Sequence, residues 1–197
     1  MTAGTGVPSV RVIMPGFIDR DGTTIVDASS TVTFVEFGKH RLIVDTGSPR
    51  DWPKIADEMK SLGISPDSIG YIINTHLHID HIGCNEKFRK AKLFAHSLED
   101  PPVGILRIND RMTLFPGVEI VPTPGHTAGS LSVFVAGERR YVMAGDALPT
   151  KENYIHQIPP SLNISRKLAL RSMELILSWA EVVVPGHGSP FEVIGKK

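Results

Sequence analysis

Thr75-His76-Leu77-His78-Ile79-Asp80-His81 sets three imidazoles and one carboxylate within six positions, directly after an apolar run that ends at Asn74. In extended or turning backbone, residues two apart project to the same side, so His76 and His78 are placed to share one ion. Asp80 and His81 lie just beyond, placed to serve a second ion close by. Three single residues extend the set: His126 in Thr123-Pro-Gly-His-Thr-Ala-Gly129, Asp146 in Ala144-Gly-Asp-Ala147 and His187 in Pro185-Gly-His-Gly188. Each is expected in a glycine-containing turn at a strand end, where backbone bends freely and a side chain can aim into a shared site.

Imidazole and carboxylate without thiolate suit zinc, iron or manganese. The expected grouping is His76, His78 and His126 on one ion and Asp80, His81 and His187 on a second, with Asp146 between them. Seven protein ligands on two ions leave positions for a hydroxide and a substrate. Structural zinc sites instead close their coordination shell, usually with cysteine. Five of the eight histidines are then used.

The elements that must position these residues are legible from periodicity. Val10–Met14 reads as a strand, and Pro15–Gly22 as a turn carrying apolar Phe17 and Ile18. Thr31–Phe37 and His40–Asp45 alternate around a turn at Gly38-Lys39 and read as a hairpin. A helix follows, with Asp51 as its cap, Pro53 in its first turn, Ile55, Met59 and Leu62 at helical spacing, and Gly63 ending it. Ile69–Asn74 reads as a buried strand; Lys92–Ala95, Val118–Val121, Leu131–Val135 and Arg140–Ala144 read as shorter ones. The last helix is expected over Ser165–Trp179, with Leu168, Leu175, Ile176 and Trp179 as its apolar face. It feeds a short strand at Glu181–Val184. Strands and a helix, then strands and a helix, with no linker between, predict one domain over residues 1–197 whose two-sheet core is flanked by helices.

Composition narrows the function classes. Lys and Arg number 21 against 21 Asp and Glu, which excludes a polycationic nucleic-acid coat but not an anionic substrate, since the ions would bring positive charge into the cleft. A single cysteine forms no internal disulfide. The amino end lacks a signal-peptide pattern and no apolar run approaches the ~20 residues of a membrane span, so a cytoplasmic location without membrane attachment is expected. His40, His96 and His156 carry the default reading of surface or core histidines. Cys84 reads as a small buried residue or free thiol, Arg166, Lys167 and Arg171 as a solvated helix face, and Pro101-Pro102 as a stiff turn.

His-x-His-x-Asp-His followed in order by an isolated His, Asp and His resembles the metallo-β-lactamase superfamily. The likeness runs from Val44-Asp45-Thr46-Gly47 through Thr75–Gly83, Pro124-Gly-His126 and Gly145-Asp146 to Pro185-Gly-His-Gly188. It implies an α+β fold, the four-layer αββα sandwich, and a dinuclear hydrolase centre holding two divalent ions, zinc by preference, with iron or manganese as alternatives. It also places Asp45 behind the first metal cluster rather than on an ion. Departures refine the resemblance. True β-lactamases replace the bridging Asp, so Asp146 argues against that activity. The acyl-homoserine lactonases place a Tyr where this chain has Pro149. Neither the large inserted domain of cleavage-factor nucleases nor the carboxy-terminal helical domain of glyoxalase II is expected.

The chemistry implied is attack by a bridging hydroxide on a small ester, lactone, thioester or phosphoester. Asp80 would orient the hydroxide and receive its proton. Lys151, Tyr154 and His156, in the loop after Asp146, are candidate substrate contacts, and Phe17 and Ile18 a candidate apolar lid. Two other readings stay open at this point. One is a compact nuclease acting on RNA phosphodiesters; the other is an iron-dependent oxidoreductase of the persulfide-dioxygenase type. Pairing into a homodimer has no legible interface signature.

Overall fold

The alternation of the first hairpin builds the layering. We describe a computed structural model of residues 6–195; residues 1–5, on which part of the expectation of no signal peptide rests, and residues 196–197 lie outside the described residues. In β4 (Val32–Phe37) and β5 (His40–Val44), Val35, Leu42 and Val44 face a second sheet, while Val32, Phe34 and Ile43 face a helix. Period-2 side chains thus serve two cores at once.

The first sheet runs β1-β4-β5-β6-β7-β8, adding β1 (Ser9–Met14), β6 (Tyr71–Ile73), β7 (Lys92–His96) and β8 (Ile105–Ile108). It is antiparallel through β1, β4 and β5, and parallel from β5 to β8. The second sheet runs β14-β13-β12-β11-β10-β9, from β9 (Met112–Phe115), β10 (Val118–Pro122), β11 (Leu131–Ala136) and β12 (Arg140–Gly145) to β13 (Val182–Pro185) and β14 (Phe191–Glu192). Ile73, Ile120, Val133 and Met143 fill the space between the sheets. Helix α1 (Trp52–Ser61) covers the outside of the first sheet through Ile55 and Met59, and α4 (Arg166–Trp179) covers the second through Met173 and Ile176. The result is the expected αββα sandwich. Among the described residues no helix is long and apolar enough to cross a membrane.

Three local expectations are corrected. Pro15–Gly22 is not a simple turn: Phe17–Asp21 forms β2, which pairs with β3 (Thr24–Ser29) as a two-stranded hairpin. Its strands are largely exposed, so no buried alternation announces them. Asp51 does not cap α1. Its Oδ2 accepts from Ser48 N (2.7 Å) and Ser29 Oγ (2.5 Å), closing the turn before the helix and tying it to β3. In the expected apolar face of α4, Ile176 is buried and Trp179 packs against the same core, but Leu168 and Leu175 are 37% and 41% exposed, and Ala169 and Met173 are buried in their place. At Ala169 the helix packs so closely on the His126 loop that a Cβ on Gly125 would lie 2.4 Å from the Ala169 backbone. Two short helices, α2 (Ile79–Ile82) and α3 (Lys151–His156), and strands β8, β9 and β14 had no clear periodic signal.

Candidate metal centre

All seven candidate ligands come from loops at one edge of the two sheets. Residues 74–78 leave the end of β6, and the single helical turn α2 presents Asp80 and His81. Thr123–Gly129 leaves β10, while Asp146 and His187 follow β12 and β13 directly. Gly186 is obligatory here, because a Cβ on it would lie 2.2 Å from Asp146 Oδ1.

Hydrogen bonds behind each ring fix which nitrogen faces inward. His81 Nδ1 meets Asp45 Oδ2 at 2.8 Å, His126 Nδ1 meets the Leu162 carbonyl at 2.7 Å, and His187 Nδ1 meets the Ser29 carbonyl at 2.9 Å. Each acceptor holds a proton on Nδ1 and leaves the Nε2 lone pair free for a ligand. Asp45 is itself anchored, accepting from Thr75 N (2.8 Å) and Thr75 Oγ1 (2.7 Å). It lies at φ 54°, a left-handed conformation that aspartate tolerates better than most side chains. With its hydroxyl proton given to Asp45, the Thr75 oxygen 3.2 Å from His76 Nδ1 acts as acceptor there.

The inward atoms form three triads. The ligand atoms of His76, His78 and His126 lie within 4.8 Å of one another, as do those of Asp80, His81 and His187, and those of His76, His81 and Asp146. His78 Nδ1 is 3.0 Å from His76 Nε2 and 3.2 Å from His126 Nε2. Asp146 reaches both sides: Oδ2 is 3.5 Å from His126 Nε2, and Oδ1 is 3.5 Å from His81 Nε2 and 3.3 Å from His187 Nε2. Among the described residues, His81 Nε2 and Asp146 Oδ1 are buried without a hydrogen-bond partner. Buried donors and acceptors are seldom left so. Converging imidazole lone pairs beside orphaned polar atoms fit divalent ions in the His76/His78/His126 and Asp80/His81/His187 triads, which the third triad links.

Electrostatics agree. Burial and the neighbouring His81 push the His76 imidazole well below its usual range, and burial with His126 lowers His78; both are neutral and ready to donate. Burial opposes charge on His81 and His187, yet Asp45 and Asp146 raise the first, and Asp146 raises the second. Asp146, despite burial, is held well below the usual carboxylate range by His187 and His81. The pocket therefore attracts positive charge around an ionised Asp146.

The candidate substrate contacts divide. Ile18 lines two of the three cavities that reach the candidate ligands, one of about 240 Å³ and one of about 520 Å³; the third, of about 510 Å³, opens on His78 and His126 beside Glu99. Phe17 lines neither; its ring lies under the Arg50 guanidinium at 5.8 Å and its carbonyl accepts from His187 Nδ1 at 3.1 Å. Lys151, Tyr154 and His156 are also not brought to the ligands. The helix α3 stacks Tyr154 on Phe191 and pairs exposed His156 with Glu152, and it presents Thr150 and Asn153 to the smaller cavity instead. Arg20, Ile25 and the Ile158–Leu162 stretch complete that cavity. No local motif marks them, because hairpin and loop meet only through the tertiary fold. Of the unassigned residues, Cys84 is buried, as expected.

A mixed αββα sandwich carrying paired His/Asp triads on one edge defines a metal-binding hydrolase class. The chain belongs to the metallo-β-lactamase superfamily, as a compact member: the superfamily description matches residues 25–101, and relatives extend the likeness over most of the chain. A Methanocaldococcus jannaschii protein named "Probable metallo-hydrolase" is 36% identical over 90% of this chain and 86% of its own length. Metallo-beta-lactamase domain-containing protein 1 of Xenopus laevis is 30% identical over 94% and 82%. A Bacillus thuringiensis AiiA structure with N-decanoyl-L-homoserine bound superposes with a TM-score of 0.72, covering 95% of this chain and 94% of that one at 22% identity.

Proposed function

We propose that residues 1–197 work as one dinuclear hydrolase domain acting on a small ester, lactone, thioester or phosphoester. The observation that carries this reading is Asp146, whose two oxygens approach ligands of both triads and whose Oδ1 is buried without a hydrogen-bond partner. His76, His78 and His126 would hold one ion and Asp80, His81 and His187 the other, with Asp146 between them and zinc the expected metal. Divalent ions there supply polarisation of a carbonyl or phosphoryl oxygen and a nucleophile derived from water at neutral pH.

The chain's own residues do the rest. Asp80 Oδ2, 3.7 Å from His187 Nε2, opens to the larger cavity and is placed to take the proton of the attacking water. Ile18, Ile25 and Leu162 border the two cavities of about 240 Å³ and about 520 Å³ and keep water from an apolar part of the substrate. Arg20, the basic side chain of the smaller cavity, donates to Ser161 Oγ at 3.1 Å and is placed to exchange that partner for an anionic substrate group. A polynucleotide reading is less well supported. Only Arg20 and Arg50 line the two cavities as cations, Arg50 is paired with Asp27, and a nucleic-acid track needs a basic groove.

The test is metal analysis together with a panel of lactone, thioester, phosphodiester and carboxylic ester substrates. Two zinc ions per chain and hydrolysis of a panel member are expected. One iron per chain with oxygen uptake would overturn the proposal.

A further inference from the structure

Glu99 lies outside the ligand set, yet its carboxylate joins the two loops that form the His76/His78/His126 triad. Oε2 accepts from Leu77 N at 3.1 Å, between His76 and His78. Oε1 accepts from Thr127 Oγ1 at 2.6 Å and Gly129 N at 3.0 Å, just after His126. One loop leaves the first sheet and the other leaves the second. Glu99 therefore braces the triad across the two halves of the sandwich.

The brace has its own support. His96 Nδ1 accepts from Leu98 N at 3.1 Å, capping the short turn Ser97–Glu99, and His96 Nε2 donates to the Asn109 carbonyl at 3.1 Å. The same tautomer satisfies both bonds. Asp100 then ends the turn at φ 49°. On the receiving side the close approach requires glycine: a Cβ on Gly129 would lie 2.6 Å from Glu99 Oε1. Two independent local features, a capped turn and a missing side chain, thus place one carboxylate between two ligand loops.

We propose that Glu99 is a positioning residue that sets the spacing of His76, His78 and His126 for their ion. This rests on the dinuclear reading above. It acts through backbone amides and a hydroxyl, not on the substrate; partners bonded directly to ligands are worth roughly 10- to 100-fold in metal affinity, and the same range is expected of a brace that holds two ligand loops at once.

Glu99→Gln separates its two links. The amide oxygen can keep Thr127 and Gly129, leaving the NH2 facing the Leu77 amide, so the bond to the His76/His78 loop is lost. Zinc titration by calorimetry and cobalt(II) spectra of wild type and variant should show one of two binding steps weakened by roughly 10- to 100-fold. Assignment of that step comes from a His126→Ala control. Amide hydrogen exchange on the metal-free variant should speed at Leu77 but not at Gly129, and Gly129→Ala should weaken the same step. Equal weakening of both steps, or no change in either, would overturn the proposal. So would unchanged Leu77 exchange. Wild-type protein that takes up only one ion would instead sink the dinuclear reading, and the role of Glu99 would fall with it.

Discussion

The two halves of the sandwich supply the candidate centre in different ways. The first sheet delivers His76, His78, Asp80 and His81 from one short run held as a unit: His81 N donates to the His78 carbonyl at 2.9 Å, and a single residue just after β5, Asp45, holds both Thr75 and His81. The second sheet delivers His126, Asp146 and His187 from three separate turns held by distant partners. His126 leans on Leu162, the Pro124 carbonyl accepts from Ser172 Oγ of α4 at 2.7 Å, and His187 crosses to Ser29 of the hairpin. A contiguous run shares its supports, so one anchor such as Asp45 serves several of its residues at once. Dispersed single ligands are only as well placed as the packing behind them.

The sharpest break in this comparison is Asp146→Ala, which removes the residue that reaches both triads. Turnover on the preferred panel substrate should fall by about 10²–10³-fold, the scale of losing a main electrostatic group, and metal content should fall with it. Full metal loading with full activity would show that the halves do not meet through Asp146.

Next in size is the support under the dispersed ligands. Ile176 is 0% exposed, and Ile176→Ala should cost about 2–5 kcal/mol by leaving a cavity against the second sheet. Leu175→Ala, one position along the same helix but 41% exposed, should change stability by no more than about 0.5 kcal/mol. Urea unfolding of both variants checks this, and equal effects would contradict the buried face described for α4.

The contiguous run is tested by Asp45→Asn. Asparagine tolerates the same left-handed backbone and can keep its oxygen toward Thr75 N, which leaves its NH2 facing His81 Nδ1 and Thr75 Oγ1, the two groups that Asp45 Oδ2 accepts from. Affinity of the Asp80/His81/His187 ion should weaken by roughly 10- to 100-fold, and the other step, reached only through Thr75 Oγ1 and His76, should weaken less. A loss shared equally by both steps would mean that the run and the dispersed ligands are not separable.

The same contrast governs what was legible in sequence. His76–His81 announces itself because its spacing is local chemistry. His126, Asp146 and His187 were found because each follows an apolar strand in a glycine turn, and β10, β12 and β13 were readable as strands. The cavity walls were not readable. Arg20 meets Ser161 across the whole fold, and the exposed strands β2 and β3 carry no core-facing alternation to mark the hairpin. Tyr154 and His156 looked reactive by type, but α3 turns them to Phe191 and Glu152. Glu99 carries no motif, since its importance lies in three donors contributed by residues 77, 127 and 129. In α4, periodicity located the helix and its buried Ile176, yet not the burial of Ala169, which lies against Gly125 of a loop distant in sequence.

The smallest effect tests the floor beneath the contiguous run. Cys84 is fully buried, its thiol donates to the Ser48 carbonyl at 3.3 Å, and burial pushes its pKa up from 9.0 to about 11. At pH 8.5 the native thiol is therefore protonated and shielded, and iodoacetamide should label it far more slowly than in urea-unfolded protein. The folded chain keeps this proton where the unfolded chain begins to lose it. Its contribution to stability is thus present below about pH 9 and is lost as pH rises through about 11. Urea midpoints of wild type and Cys84→Ala measured from pH 8 to 11 should converge as that contribution disappears. Native labelling at the rate of a free thiol would mean that the packing under Asp80–Gly83 opens readily, and the shared support of the run would then be no firmer than the separate supports of the dispersed ligands.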